Sequence, residues 1–582
     1  MLNYRITPET NRHLWHITLT FQHETNTPQA IKLANWVAGS YMIRDFSRHI
    51  VRIQATCNGA PVSLTQISKN EWHTPAQSGD YAIEYTVYAN DLSVRASLLD
   101  NERGFIDGAC LFLYLPNRQN EIHSVEFFRL PENWQIATTQ PEIAPNHFQA
   151  ANYAALTDHP FEMGANLEIL SFDACGIPHK IALSGYYHDF DRQRLINDCQ
   201  KICEHEIQMF QNPEPFSEYL FLLHLGDNIY GGLEHRSSTA LHADRNALPQ
   251  KNMGEPNKAY TELLGLISHE YFHAWNVKSI KPSQFQPYNL DSEVYTEQLW
   301  AYEGITSYYD DLILLRSQVI SPENYLTLLA KLITRVRRTA GRYQQTLAES
   351  SFAAWHKYYK QDENSPNAIT SYYQQGALTA FCLDATIRNQ SQHSLDTVMQ
   401  KLYQRHRETG KGTDEKQWQA LAQEYTQLDL HDFFQAALYS TQELPLERSL
   451  KTMGIQLNWQ PENRSSLGRA VNGYQPSQPQ PEIACRYKQN ADHAVISHVF
   501  AHGAAEAAAL KPQDKIIAVD GFACTDFAAQ AQTQIGDTHT VHYFRHGVLH
   551  ETQITVQAAP YDVAELSVED WDKFEAWINM SV

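Results

Sequence analysis

With 582 residues, 43% hydrophobic and 11% aromatic, the chain has core material for three or four domains, or for two large ones. Its 66 acidic side chains against 45 Lys and Arg give a formal charge of −21. Such a surface repels nucleic acid and anionic lipid and excludes both as main partners.

The eight cysteines are scattered without a CxxC pair, and Cys199 and Cys203, at helical spacing, read as buried thiols. The opening Met1-Leu2-Asn3-Tyr4-Arg5 lacks a basic-then-apolar leader, and no apolar run approaches membrane-spanning length. The expectation is a cytoplasmic protein with no membrane partner.

Residues 1–168 read as β. His16 to Phe21 and Tyr81 to Tyr88 alternate apolar and polar, and Leu111 to Leu115 reads as a third strand. Short strands broken by Asn, Gly and Pro predict an antiparallel sandwich or saddle. Within it, Trp36 to Phe46 is dense in aromatic and charged residues, and an Arg44–Asp45 pair is expected to hold a turn or a domain contact.

Near residue 170 the pattern changes. Asp191 to Phe210 predicts a helix and Glu218 to Leu225 a buried strand. Tyr230-Gly231-Gly232-Leu233-Glu234-His235 follows, where Gly231 and Gly232 let the backbone approach something closely at a strand edge. Glu234 by itself reads as an ordinary surface acid.

Leu266 to Trp275 contains His269-Glu270-x-x-His273 in a segment with a helical apolar stripe (Leu263, Leu266, Ile267, Phe272) and no proline before Pro282. One turn apart, the two imidazoles can meet one metal ion, with Glu270 beside them to reach an activated water. Thirty positions on (303 − 273 = 30), Glu303 sits in an apolar stretch, Tyr295 to Leu315, that predicts a second long helix. A buried carboxylate there needs a partner, and a metal would supply one.

Arg335, Arg337, Arg338 and Arg342 form a local basic patch, expected as a solvated helix face paired with acids. Ser371 to Gly376 leads into an apolar helix, Ala377 to Ile387, and Tyr373 at its start can donate to an oxyanion or simply pack. From Met453 the chain is β-like again, interrupted by the Pro/Gln/Ser-rich loop Gln475 to Pro481. The tail from Ala564 is expected as a docking helix or a disordered end.

Taken together, these residues resemble a family. His269-Glu270-x-x-His273 with Glu303-Gly304 looks like the gluzincin metallopeptidases. Gly231 to His235 is similar to the exopeptidase motif of aminopeptidase N-type enzymes, with His235 where those carry Asn. Tyr373-Gln374-Gln375-Gly376 resembles their Tyr-x-x-Gly motif. The strings Gly39 to Phe46 and His269 to Pro282 look specifically like peptidase family M61, the glycyl aminopeptidases.

The resemblance implies a multidomain α+β chain. Its parts would be an amino-terminal antiparallel β domain (1–168), a thermolysin-like, mostly helical zinc peptidase domain (169–445), a PDZ-like domain (446–560) and a tail (561–582). The PDZ-like segment departs from pattern at Gln513 and at Ala507-Ala508-Ala509. The resemblance further implies one zinc ion held by His269, His273 and Glu303, Glu270 as base and Tyr373 as oxyanion donor. Glu234, with Gly231 and Gly232, would bind the free amino terminus of peptides beginning with Gly or Ala. Tyr230, Tyr271 and Tyr302 are expected to narrow the first pocket, and the PDZ-like domain to hold a peptide or protein carboxy terminus. A thermolysin-like endopeptidase and a non-catalytic scaffold are the competing expectations.

Overall fold

The computed structural model describes residues 1–211 and 213–579, so the last three residues of the expected tail lie outside the described residues. The fold is mixed α+β and divides into two compact units. One comprises Met1–Tyr295, Ser317–Val319 and Leu402–Thr413; the other comprises Thr296–Arg316, Ile320–Lys401 and the chain from Asp414.

The first unit begins with an eight-stranded sheet whose centre is formed by β1 (Leu2–Glu9), β2 (Leu14–His23), β3 (Ile50–Cys57), β4 (Gly79–Tyr88) and β5 (His123–Phe127). Alternation sets its faces: Leu2, Tyr4 and Ile6 of β1, and Tyr81, Ile83, Tyr85 and Val87 of β4, are all buried. The pairings among β1 to β4 are antiparallel as expected, but β1 and β5 run parallel, which the long connection between them permits.

The predicted strand at Leu111 to Leu115 is not one. Asp107 caps a short helical turn, Gly108–Leu111, by accepting from Ala109 N, and only Tyr114 makes a lone bridge, to Lys32. All five residues are buried, so no polar face imposes a period of two. Nor do Arg44 and Asp45 pair: Asp45 meets Lys69 at 2.5 Å, and Arg44 donates to Ser40 at 2.7 Å.

The second sheet of this unit carries the chemistry. It comprises β6 (Glu168–Ala174), β7 (Ile177–Gly185), β8 (Tyr219–Gly226), β9 (Gly231–Glu234) and β10 (Ser238–Asp244), in the order β6-β7-β8-β10-β9. Strands β7, β8 and β10 are parallel, with α1 (Arg192–Phe210) between β7 and β8; β9 is an antiparallel edge strand. Tyr219 to Leu223 of β8 are all buried, the continuous apolar run that a strand covered on both faces requires. Helix α2 (Lys258–Phe272) follows β10, capped by Asn257 at Tyr260 N. Cys199 and Cys203 are free, buried thiols.

In the second unit α3 (Ile305–Arg316) is preceded by a single π-helical turn, Trp300–Gly304. The expected helix therefore starts later than Tyr295. Thr296 Oγ1 accepts from Gln298 N at 3.2 Å and donates to Glu415, a local turn that replaces the first helical one. Helices α4 (Pro322–Arg337) and α5 (Gln374–Gln390) pack near it. The basic patch is paired with acids: Arg337 and Arg342 with Glu443, Arg338 with Asp562.

Beyond residue 450, β11 (Ile455–Gln460) pairs with a late strand, Val563–Val568. Between them lies a six-stranded sheet built on Cys485–Gln489, Ala494–Val499, Lys515–Val519, Thr538–Arg545 and Val548–Thr555. A closing helix, Trp571–Ile578, buries Phe574 and Trp577. Among the described residues no helix is long and apolar enough to cross a membrane.

Candidate active site

Helix α2 is locked before any chemistry is considered. Tyr271 packs edge-on to Tyr219 at 4.7 Å and its hydroxyl meets His179 Nε2 at 2.9 Å; Trp275 stacks on Phe210 at 4.8 Å; Ser268 donates to Glu206 at 3.0 Å. Tyr271 therefore faces the sheet, and Tyr230 is 68% exposed. For these two tyrosines, the expectation of a narrowed first pocket is corrected.

With one face of α2 committed to the sheet, His269, Glu270 and His273 project elsewhere. The two Nε2 atoms lie 3.1 Å apart, as the one-turn spacing predicts. His273 Nδ1 is 2.7 Å from the carbonyl of Asn276. That oxygen can only accept, so Nδ1 carries the proton and Nε2 presents a lone pair, the tautomer a metal ligand needs.

Two carboxylates join this face. Glu234 at the end of β9 is 4% exposed and Glu270 is 5% exposed. Each offers an oxygen that, with one His273 nitrogen, falls in a group whose atoms are all within 4.8 Å of one another. Burial pushes Glu270 up to about 7; His269 and His273 work against that shift, and Glu234 adds to it. Among the described residues, Glu234 Oε1 and Glu270 Oε2 have no hydrogen-bond partner. Two buried carboxylates facing one another with unmet oxygens describe a site built for a cation.

Glycines make room for both. A Cβ at Gly232 would overlap the Glu270 carboxylate, and a Cβ at Gly39, where φ is +95°, would overlap that of Glu234. Arg95 Nη2 donates to the Gly232 carbonyl at 2.7 Å and pins β9 at this point. Gly231 opens the strand with φ +158°. Neither Gly39 nor Arg95 was assigned to the site from sequence. Gly39 lies in one of the strings that carry the family resemblance, so a signal existed; Arg95 had none.

In the second unit Glu303 is buried on the π-turn, whose first amide, Trp300 N, donates to Ser351 Oγ at 3.1 Å. Tyr373 stands at the start of α5, with ring centroids of Tyr372 at 4.7 Å and Tyr358 at 5.6 Å. Burial, then the neighbouring Glu303 carboxylate, raises the Tyr373 hydroxyl well above its usual range, so it stays protonated and able to donate. The motif glycines explain this proximity. A Cβ on Gly304 would lie 2.6 Å from Gly376 Cα, so the π-turn and α5 cross backbone to backbone where both residues lack side chains.

Comparison with known proteins follows the same lines. The model of the peptidase M61 N-terminal domain matches residues 3–165, and that of the M61 glycyl aminopeptidase matches residues 262–379. A solved structure of an aminopeptidase N family protein from Idiomarina loihiensis is 39% identical, with 100% of each chain covered and a TM-score of 0.94. An M1 zinc metallopeptidase from Deinococcus radiodurans is 12% identical over 76% of this chain and 94% of its own, with a TM-score of 0.47. No curated protein matches. With the matched regions bracketing the β-rich start and the His-Glu-x-x-His helix, and a full-length relative at this identity, the chain belongs to peptidase family M61.

Proposed function

We propose that this chain is a zinc-dependent aminopeptidase that removes small residues, Gly and Ala, from peptides with a free amino terminus. The observation that carries this reading is Glu234: a carboxylate 4% exposed, seated on Gly39, with Oε1 unpartnered beside Glu270 and His273. A substrate α-ammonium supplies the missing cation. Anchored there, it fixes the scissile bond one residue from the amino terminus.

His269, His273 and Glu303 are the proposed metal ligands, a His/His/Glu set suited to zinc. The His273 tautomer, with Nε2 left free to donate its lone pair, fits such an ion. A zinc ion held there would polarise the scissile carbonyl and lower the pKa of a water toward neutrality. Glu270 takes the attacking water's proton and returns it to the leaving amine. Its raised affinity for a proton, a product of burial, suits a group that must accept and then release one. Tyr373, protonated, donates to the oxygen on which charge develops.

The same reading takes residues 1–168 as the β domain, 169–445 as a thermolysin-like catalytic domain and 561–582 as the tail. The part from 446 to 560 is the PDZ-like domain, where the edge strand Cys485–Gln489 would accept a carboxy-terminal peptide by strand addition. Eight free cysteines support a reducing, cytoplasmic setting.

The test is hydrolysis of Gly-, Ala- and Leu-anilides and their acetylated forms by wild-type and Glu234→Ala proteins. Free Gly and Ala substrates should be cut and acetylated ones spared, with Glu234→Ala losing about 10- to 100-fold in kcat/KM, as removal of a charge-assisted anchor predicts. Internal cleavage of acetylated peptides would transfer the chain to the endopeptidases. Gly39→Ala, which leaves Glu234 in place but displaces its carboxylate, should raise KM about tenfold for free-amine substrates and bind zinc as wild type, measured by metal analysis.

A further inference from the structure

We infer that a second cavity in the first unit is a binding site for a small organic monocarboxylate. The cavity has a volume of about 480 Å³; neither Glu234 nor Glu270 lines it, although the Glu234 carboxylate acts on Lys278, Lys281 and Tyr288 in its wall. Its walls bring together Lys278, Lys281, Arg236, His235, Asp158 and Tyr288.

The close ion pairs in this wall leave one cation out. Asp158 is its one carboxylate, and it is spoken for: Lys278 Nζ lies 3.0 Å away, Arg236 Nε 3.3 Å and His235 Nδ1 3.4 Å. Lys281, only 8% exposed, makes no close ion pair among the described residues; the Asp158 and Glu234 carboxylates act on it from farther off. Its ammonium lies over the face of Tyr288, with Nζ 5.4 Å from the ring centroid. Burial, then the like charges of Lys278 and Arg236, pushes Lys281 down to about 7 against the opposing pull of Asp158 and Glu234. His235 is buried as well, and its Nε2 has no hydrogen-bond partner among the described residues.

A buried lysine with no carboxylate in close contact is costly in any fold, and a bound anion lowers the cost. A single carboxylate at Lys281 Nζ supplies the close partner it lacks and favours its charged form. Tyr288, whose hydroxyl is pushed up to about 12 mainly by burial, remains a donor. The lining also includes Val37, Phe285 and Leu290, and the volume exceeds that of a bare inorganic ion. A carboxylate with a compact apolar body satisfies both halves. It could be the carboxy terminus of a peptide or a free small acid.

Thermal unfolding of the full-length, metal-loaded protein tests this. The probes are 4-bromobenzoate, acetate, acetyl-Ala-Ala and its amide, with sodium chloride at matched ionic strength as reference. A saturable rise in Tm of about 3 °C or more with a carboxylate probe, absent with chloride, lost in Lys281→Met and kept in Lys281→Arg, is expected. A response to acetyl-Ala-Ala but to neither its amide nor acetate assigns the site to peptide termini. A response to acetate and 4-bromobenzoate without acetyl-Ala-Ala assigns it to free acids. No saturable response, or an equal one in Lys281→Met, overturns the site. Should Lys281→Met not fold, crystals soaked in 4-bromobenzoate decide: anomalous bromine density inside the cavity upholds the inference, and its absence there overturns it.

Discussion

Glu270→Gln is expected to lower kcat about a thousandfold while zinc content and the KM for Ala-anilide stay near wild type. Gln keeps the size and polarity of the side chain but cannot take a proton, so the change removes the proposed general-base catalysis and little else. Metal analysis beside the kinetics separates loss of the base from loss of the ion. A variant that lost zinc in step with activity would make Glu270 a support for the ligands instead. The metal-stripped protein gives a second readout. Burial raises the Glu270 pKa above its unfolded value, so folding must pay for its ionised form above that pKa and gains relative stability as pH falls. Without metal, Glu270→Gln should therefore unfold at a higher temperature than wild type at pH 8, with the gap closing toward pH 4.5.

Arg316→Met should cost about 3–5 kcal/mol, a fall in Tm of the order of 10 °C, without touching the proposed chemistry. The Arg316 side chain is fully buried and meets Asp396, with Nη1 at 3.1 and 3.2 Å from the two oxygens. Asp396 also accepts from Tyr309 at 2.6 Å, and Arg388 stands 3.8 Å away. Burial would push Asp396 up, but Arg316, then Arg388 and the Tyr309 bond, hold it below its usual range. Its contribution is therefore complete above the unfolded pKa and is lost as pH falls through the lower folded value. Removing one partner strands a charge; removing both does not. The double variant Arg316→Met, Asp396→Leu should recover part of the loss, and a purely additive result in denaturant unfolding would show that the two residues do not act together.

Much of the first unit was legible in the sequence because its signals are local. The i, i+4 placement of His269 and His273 on an apolar stripe needs only helical geometry, and the alternation from Tyr81 to Tyr88 needs only a strand with one buried face. Leu111 to Leu115 misled because all five residues are buried, so there was no polar face to distinguish a strand from a capped turn. The π-turn at Glu303 left no trace in composition; its shifted hydrogen bonds belong to the backbone. The seat of Glu234 on Gly39, and the pinning of β9 by Arg95, join residues far apart in the chain and become visible only when the two sheets of the unit fold.

The contact of Gly304 with Gly376 has a mechanical meaning. Two helical segments touching main chain to main chain form a joint with no compressible padding, so the carboxylate one residue before Gly304 and the hydroxyl three residues before Gly376 share a single rigid mount. When that region breathes, the acid and the phenol travel together and their spacing is preserved. A side chain at either glycine would act as a wedge, detuning both at once. Variation in this lineage is therefore expected to reach the surrounding walls well before it reaches the joint.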